Sequence, residues 1–115
     1  MNWAFNLRRG AALRARWDLI PTETDVLITH GPPHGIADTV KRPVAQIVST
    51  LAGQGLHVGC EDLVRAVRRV RPRLHVFGHI HEGYARVAQD GVTFVNASSC
   101  DVRYRVVNPP VVVDL

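Results

Sequence analysis

Two short apolar runs in this chain each end at a histidine, and the clearest helix in the sequence lies between them. The first run is Val26-Leu27-Ile28-Thr29, followed by His30 and then Gly31-Pro32-Pro33. The second is Leu74-His75-Val76-Phe77, followed by Gly78-His79-Ile80-His81. Runs rich in Val, Leu, Ile and Thr that stop at Gly or Pro read as buried strands. From Glu61 to Val70, residues Leu63, Val64, Val67 and Val70 recur at helical spacing. Glu61 and Asp62 in the first turn and Arg68, Arg69 and Arg71 in the last suit the helix dipole, and Pro72 closes the helix. Strand, helix, strand implies a parallel pair, because the crossover returns the chain to the end where it began. His30 and His79 then share the carboxyl edge of an α/β sheet, where ligands gather.

If the second strand runs on to His81, His79 and His81 face the same side, roughly 6 to 7 Å apart. That step suits two imidazoles closing on one metal ion or on two neighbouring ions. A His-x-His taken alone is more often a pair of ordinary polar residues at a strand end; His30 at the same edge shifts the balance. His34, four residues beyond His30, is a candidate proton donor to a leaving group, although a solvated loop histidine is the commoner arrangement. Gly78 lets the backbone bend or pass close to another group. Asn96-Ala97-Ser98 leaves a later strand, and the polar groups of Asn96 and Ser98 are placed to hold the site loop.

These stretches resemble two metal-binding blocks of the calcineurin-like metallophosphoesterases, Thr29-His30-Gly31-Pro32-Pro33 and Gly78-His79-Ile80-His81. The resemblance is closer to the branch of metallophosphoesterase-domain proteins related to class III cyclic nucleotide phosphodiesterases. It extends through Trp3 to Leu7, Arg9-Gly10, Trp17, Ile20-Pro21, Gly59-Cys60, Leu74 to Tyr84, Val95 to Ser98 with Cys100, and Asn108-Pro109-Pro110. It implies an α/β fold: the C-terminal half of a metallophosphoesterase-type sandwich, a βαβ unit followed by mainly antiparallel strands. It also implies phosphoester hydrolysis by a hydroxide activated between two divalent ions (Mn, Fe, Zn or Co), acting on a phosphodiester or a nucleotide. In that scheme His30 and His79 resemble ligands of one ion and His81 a ligand of the other. The family's Asp-x-His, Gly-Asp-x-x-Asp and Gly-Asn-His blocks do not occur in these 115 residues. The expectation is therefore a partial domain over 1–115 with its N-terminal half missing, impaired on its own. Residues 39–57 read as an insertion.

The remaining expectations follow from local pattern. A short helix runs from about Arg9 to Trp17, with Leu13 and Trp17 on one face and Arg8, Arg9, Arg14 and Arg16 outward. Val44 to Ala52 reads as a helix after Pro43. Ala85 to Ala88 and Val92 to Asn96 form a hairpin, with Asp90-Gly91 as its turn. Tyr104 to Val107 and Val111 to Asp114 read as closing strands.

The net charge of +4, carried by arginines and a single lysine, raises the alternative of a non-catalytic basic piece that binds nucleic acid or a protein partner. The spread of the arginines over two helices favours a solvated surface instead. Two cysteines forty residues apart, Cys60 and Cys100, read as free thiols of a cytoplasmic protein. No apolar run approaches the roughly 20 residues that cross a bilayer. Half of a two-layer sandwich would leave an apolar sheet face uncovered, so self-association is expected.

Overall fold

The computed structural model describes residues 6–41 and 56–115. The helix expected over Val44 to Ala52 lies outside the described residues. Among those described, the core is a four-stranded sheet in the order β1-β4-β6-β5, built from β1 (Val26–Ile28), β4 (Leu74–Phe77), β5 (Ala85–Gln89) and β6 (Val92–Asn96). One face carries two helices, α1 (Ala11–Trp17) and α2 (Glu61–Val70). The fold is mixed α/β.

The strand–helix–strand expectation is met: β1 and β4 pair in parallel, Val26 opposite Leu74 and Ile28 opposite Val76. The hairpin is also as expected, with Asp90 and Gly91 both at positive φ, 52° and 79°. That is the twist a two-residue hairpin turn needs. The sheet is less antiparallel than the sequence suggested. β6 pairs with β4 in parallel, so only β5 runs against its neighbour.

Alternation along the strands sends Leu27, His75, Phe77, Val92 and Phe94 to the helix side. There Leu27, Phe77, Val92 and Phe94 join Leu63 and Val67 of α2 in the buried core, and Trp17 and Ile20 pack against it. Apolar burial of this kind contributes roughly 25 cal/mol per Å2. α1 has no buried residue of its own. It is tied to α2 by Asp62, which accepts from the Gly10 amide and the Arg14 guanidinium, both at 3.1 Å. The Gly10 hydrogen bond, followed by Arg14, holds the Asp62 carboxyl below its ordinary pKa. Arg69 closes the other end by donating to the carbonyls of Trp17, Asp18 and Ile20.

Two segments depart from expectation. The ends of the 39–57 stretch form a small antiparallel ribbon, β2 (Thr39–Val40) with β3 (Leu56–His57). The segment after Ser99 forms no regular strand; Cys100 and Val106 make an isolated bridge, and Val111 to Asp114 has no ladder partner among the described residues. Asp101 gathers that segment into a tight turn, accepting from the Arg103 and Arg105 amides and from the Arg105 guanidinium. Pro109-Pro110 then withholds two backbone donors.

Candidate functional site

His30 follows β1 and His79 follows β4, and the parallel register brings them to one edge. His30 Nε2 lies 3.1 Å from His79 Nδ1, with ring centroids 4.7 Å apart. Both residues are exposed. The expected straight strand through His81 is not what brings His79 here. β4 ends at Phe77, and His79 adopts φ 67°. The Ile80 amide donates to the Gly78 carbonyl at 2.7 Å. This closes a γ-turn centred on His79, the rare form with positive φ, which is costly for a side-chain-bearing residue. Gly78 meanwhile donates its amide to the His30 carbonyl at 3.0 Å, so the turn is anchored to the loop that carries the other imidazole.

His81 opens a 310 turn, His81–Gly83, instead of extending the strand. Its Nδ1 donates to the Asp101 carbonyl at 2.8 Å, which leaves Nε2 as the lone-pair nitrogen. That is the usual arrangement behind a metal-ligating imidazole. His79 has its pKa lowered by partial burial first, and then by the neighbouring His30 and His81. It is thereby biased toward the neutral, ligating form.

Asn96 is fully buried and ties the loops around this edge together. Its amide donates to the carbonyls of Ala37 and Ile80, both at 2.9 Å. Its Oδ1 accepts from the Ser98 amide at 3.1 Å and the Ser98 hydroxyl at 2.7 Å. Gly78 packs against Ser98: a Cβ there would stand 3.5 Å from the Ser98 hydroxyl. Gly83 passes so close that an added Cβ would fall onto the Ala37 carbonyl.

His34 has a different neighbourhood. Its ring lies 5.6 Å from that of His57. His57 Nδ1 donates to Asp38 at 2.6 Å, and Asp38, fully buried, also accepts the Gly35 and Gly59 amides at 2.9 Å. Burial alone would raise the Asp38 pKa; the His57 bond and the two amides outweigh it and hold it below the ordinary value. The sequence singled out neither Asp38 nor His57 as a functional residue. No signal short of the β2–β3 pairing could have joined residues nineteen apart.

Two nitrogens bound to one ion at about 2.0–2.1 Å stand roughly 3 to 3.4 Å apart. The His30–His79 pair therefore fits one borderline divalent ion, and imidazole donors suit Mn, Fe, Co or Zn alike. Among the described residues no group of three or more His, Cys, Asp or Glu side chains is gathered to hold a metal. The pair fits part of a metal centre, and the two-metal set expected from the resemblance is not assembled.

No family model matches the chain. Metallophosphoesterase domain-containing protein 1 of Homo sapiens is 53% identical over 114 residues, which covers 98% of this chain and 32% of that protein. The Mus musculus protein of the same name gives the same figures. The Caenorhabditis elegans UPF0046 protein T07D4.2 is 42% identical over 115 residues, covering 99% of this chain and 26% of that protein. Over nearly its whole length the sequence is similar to metallophosphoesterase domain-containing proteins. It spans about a third or less of the length of these relatives. No described helix is long and apolar enough to cross a membrane.

Proposed function

We propose that this chain supplies the histidine side of the active centre in a metal-dependent phosphoesterase acting on a small phosphodiester or nucleotide. The observation that carries this is the His30–His79 pair, 3.1 Å between ring nitrogens at the carboxyl edge of the parallel strands, in a sequence similar to metallophosphoesterase domain-containing proteins. His30 and His79 would hold one divalent ion, and His81, through Nε2, a second; Gly78, Asn96 and Ser98 keep the loops in place. Such ions, when bound, supply Lewis acidity toward a phosphoryl oxygen and an activated water. What the chain itself contributes is orientation. The γ-turn at His79 and the amide of Gly78 on the His30 carbonyl fix the backbone that carries the two imidazoles, and positioning ligands in advance is a large part of what a protein adds to metal chemistry. Carboxylate ligands would come from sequence beyond these residues. The two free thiols, Cys60 and Cys100, support a cytoplasmic setting.

The test is hydrolysis of bis(p-nitrophenyl) phosphate and p-nitrophenyl phosphate with added Mn. It uses a protein of the relatives' full length that carries this sequence, and its His30→Ala and His79→Ala variants. Loss of at least a hundredfold in turnover in both variants supports the reading; unchanged turnover in both overturns it.

A basic nucleic-acid-binding role ranks second. Arg9, Arg14, Arg69 and Arg71 are each spent on a bond inside the fold, to Val58, Asp62, Trp17 and Asp90 respectively. The loose basic surface that such binding needs is correspondingly reduced.

A further inference from the structure

On α2, Val64, Val67 and Arg68 occupy positions i, i+3 and i+4, one stripe of the helix, and Arg71 caps its end. Val67 packs into the core with Val92 and Phe94, whereas Val64, half-buried, and Arg68, exposed, leave the outer part of the stripe unsealed. Val92 and Phe94 of the hairpin face it, the loop after β1 with His34 closes the third side, and a cavity of about 520 Å3 lies between them. That volume is within the range of small-molecule sites.

The lining is graded. Val67, Val92 and Phe94 are buried apolar side chains, whereas Arg68 and Arg71 lie where α2 ends. Arg71 is held in place: it caps α2 in the left-handed conformation, φ 51°, and its guanidinium donates to the Asp90 carbonyl at 3.1 Å. Arg68 makes no ion pair among the described residues. Against these two cations the lining offers one carboxylate, Asp90. The negative end of the α2 dipole, about half a charge, lies at the same end and does not cancel the excess. On the far wall, His34 stands beside His57, which Asp38 orients.

We propose that this cavity is a binding site for a small organic oxyanion, a carboxylate or phosphate joined to one aromatic or branched apolar group. The apolar body would lie against Val64 and Ile36, over the buried Val92 and Phe94, and the anion would meet Arg68 and Arg71. The site is distinct from the His30–His79 pair and does not depend on the phosphoesterase reading.

The experiment is an amide-resolved NMR titration of the metal-stripped, EDTA-treated chain. Phenyl phosphate and phenylacetate are compared with benzyl alcohol, which lacks the charge, and with inorganic phosphate, which lacks the ring. At least one aromatic anion should bind about tenfold or more tighter than either control, as one charge-assisted pair implies. Its shifts should centre on Val64, Arg68, Val92 and Phe94. Which of the two anions binds tighter identifies the head group. Arg68→Gln, at an exposed position, should weaken binding at least about fivefold and leave the spectrum otherwise native; Val64→Trp should abolish it by filling the space. Equal binding of benzyl alcohol, shifts centred on another surface, or an Arg68→Gln variant that binds as well as the parent would each overturn the proposal. Should Val64→Trp fail to fold, the Arg68→Gln comparison decides alone.

Discussion

His75 donates from Nε2 to the Thr29 hydroxyl, 2.9 Å away, and that hydroxyl donates in turn to the Gly31 carbonyl at 2.8 Å. A fully buried imidazole thus fixes the turn that carries His30. Its other nitrogen, Nδ1, has no partner among the described residues, and the ring sits beside those of Phe77 and Phe94, at 5.0 and 5.7 Å between centroids. Burial pushes the His75 pKa down to about 4.

The sign of the pH effect follows. Between pH 6.5 and about 4 the unfolded chain binds a proton at His75 that the folded chain refuses, so stability rises with pH across that window and is complete above it. The slope approaches about 1.4 kcal/mol per pH unit, roughly 3 kcal/mol in all. Urea melts from pH 4.5 to 7 should show this slope, and His75→Phe should flatten it. A slope unchanged in His75→Phe would assign the effect to other groups. Asp38 adds a separate loss at lower pH. Its depressed pKa stabilises above the ordinary carboxylate value, and that stabilisation is lost as pH falls through the folded value.

Much of this architecture was legible in the sequence because it rests on local pattern. The α2 stripe, the Asp90-Gly91 turn and the two strands broken by Gly and Pro each carry their own signal. The placement of His30 and His79 at one edge followed from the parallel pairing that a helical crossover between two strands implies. What was not legible depends on contacts distant in sequence. The positive φ of His79 goes with the Ile80 amide on the Gly78 carbonyl and the Gly78 amide on the His30 carbonyl, which no propensity encodes. The parallel pairing of β4 with β6 is a choice among sheet orders that hydrophobic alternation leaves open. The segment after Ser99 has β-branched residues at strand spacing, but Asp101 captures its amides and Val106 and Val112 stay about 80% exposed.

Asn96 and Gly83 should be intolerant positions. Asn96→Ala would leave the Ala37 carbonyl and the Ser98 amide without their partner and take one of its donors from the Ile80 carbonyl, which keeps the Gly83 amide, at about 1–3 kcal/mol for a buried orphan. Gly83→Ala would force a methyl onto the Ala37 carbonyl and the Asn96 amide, costing ~2 kcal/mol or more. Thermal melts should place both well below the parent. A Gly83→Ala protein as stable as the parent would mean that the 310 turn can move away from β6 freely.

The β1 margin of the sheet face opposite the helices should drive association; further in, Leu74 and Val95 are buried. Ile28 is 74% exposed and Val26 40% exposed on the edge strand β1, and the register sets them beside Val76 and Leu74. An apolar face with an unpaired edge is an invitation to a second chain. Light scattering should find the chain oligomeric at micromolar concentration, and Ile28→Lys should shift it toward monomer. A parent chain that is strictly monomeric would contradict this.

The most direct measurement is a cobalt(II) titration of the purified chain followed by visible absorption, with His30→Ala, His79→Ala and His34→Ala in parallel. Cobalt reports nitrogen ligation optically, and its affinity for imidazole lies below that of zinc only modestly. The predicted result is a weak, saturable spectrum that is lost in His30→Ala and in His79→Ala and retained in His34→Ala. Binding that persists in both the His30 and His79 variants would contradict the assignment of this pair to a metal centre.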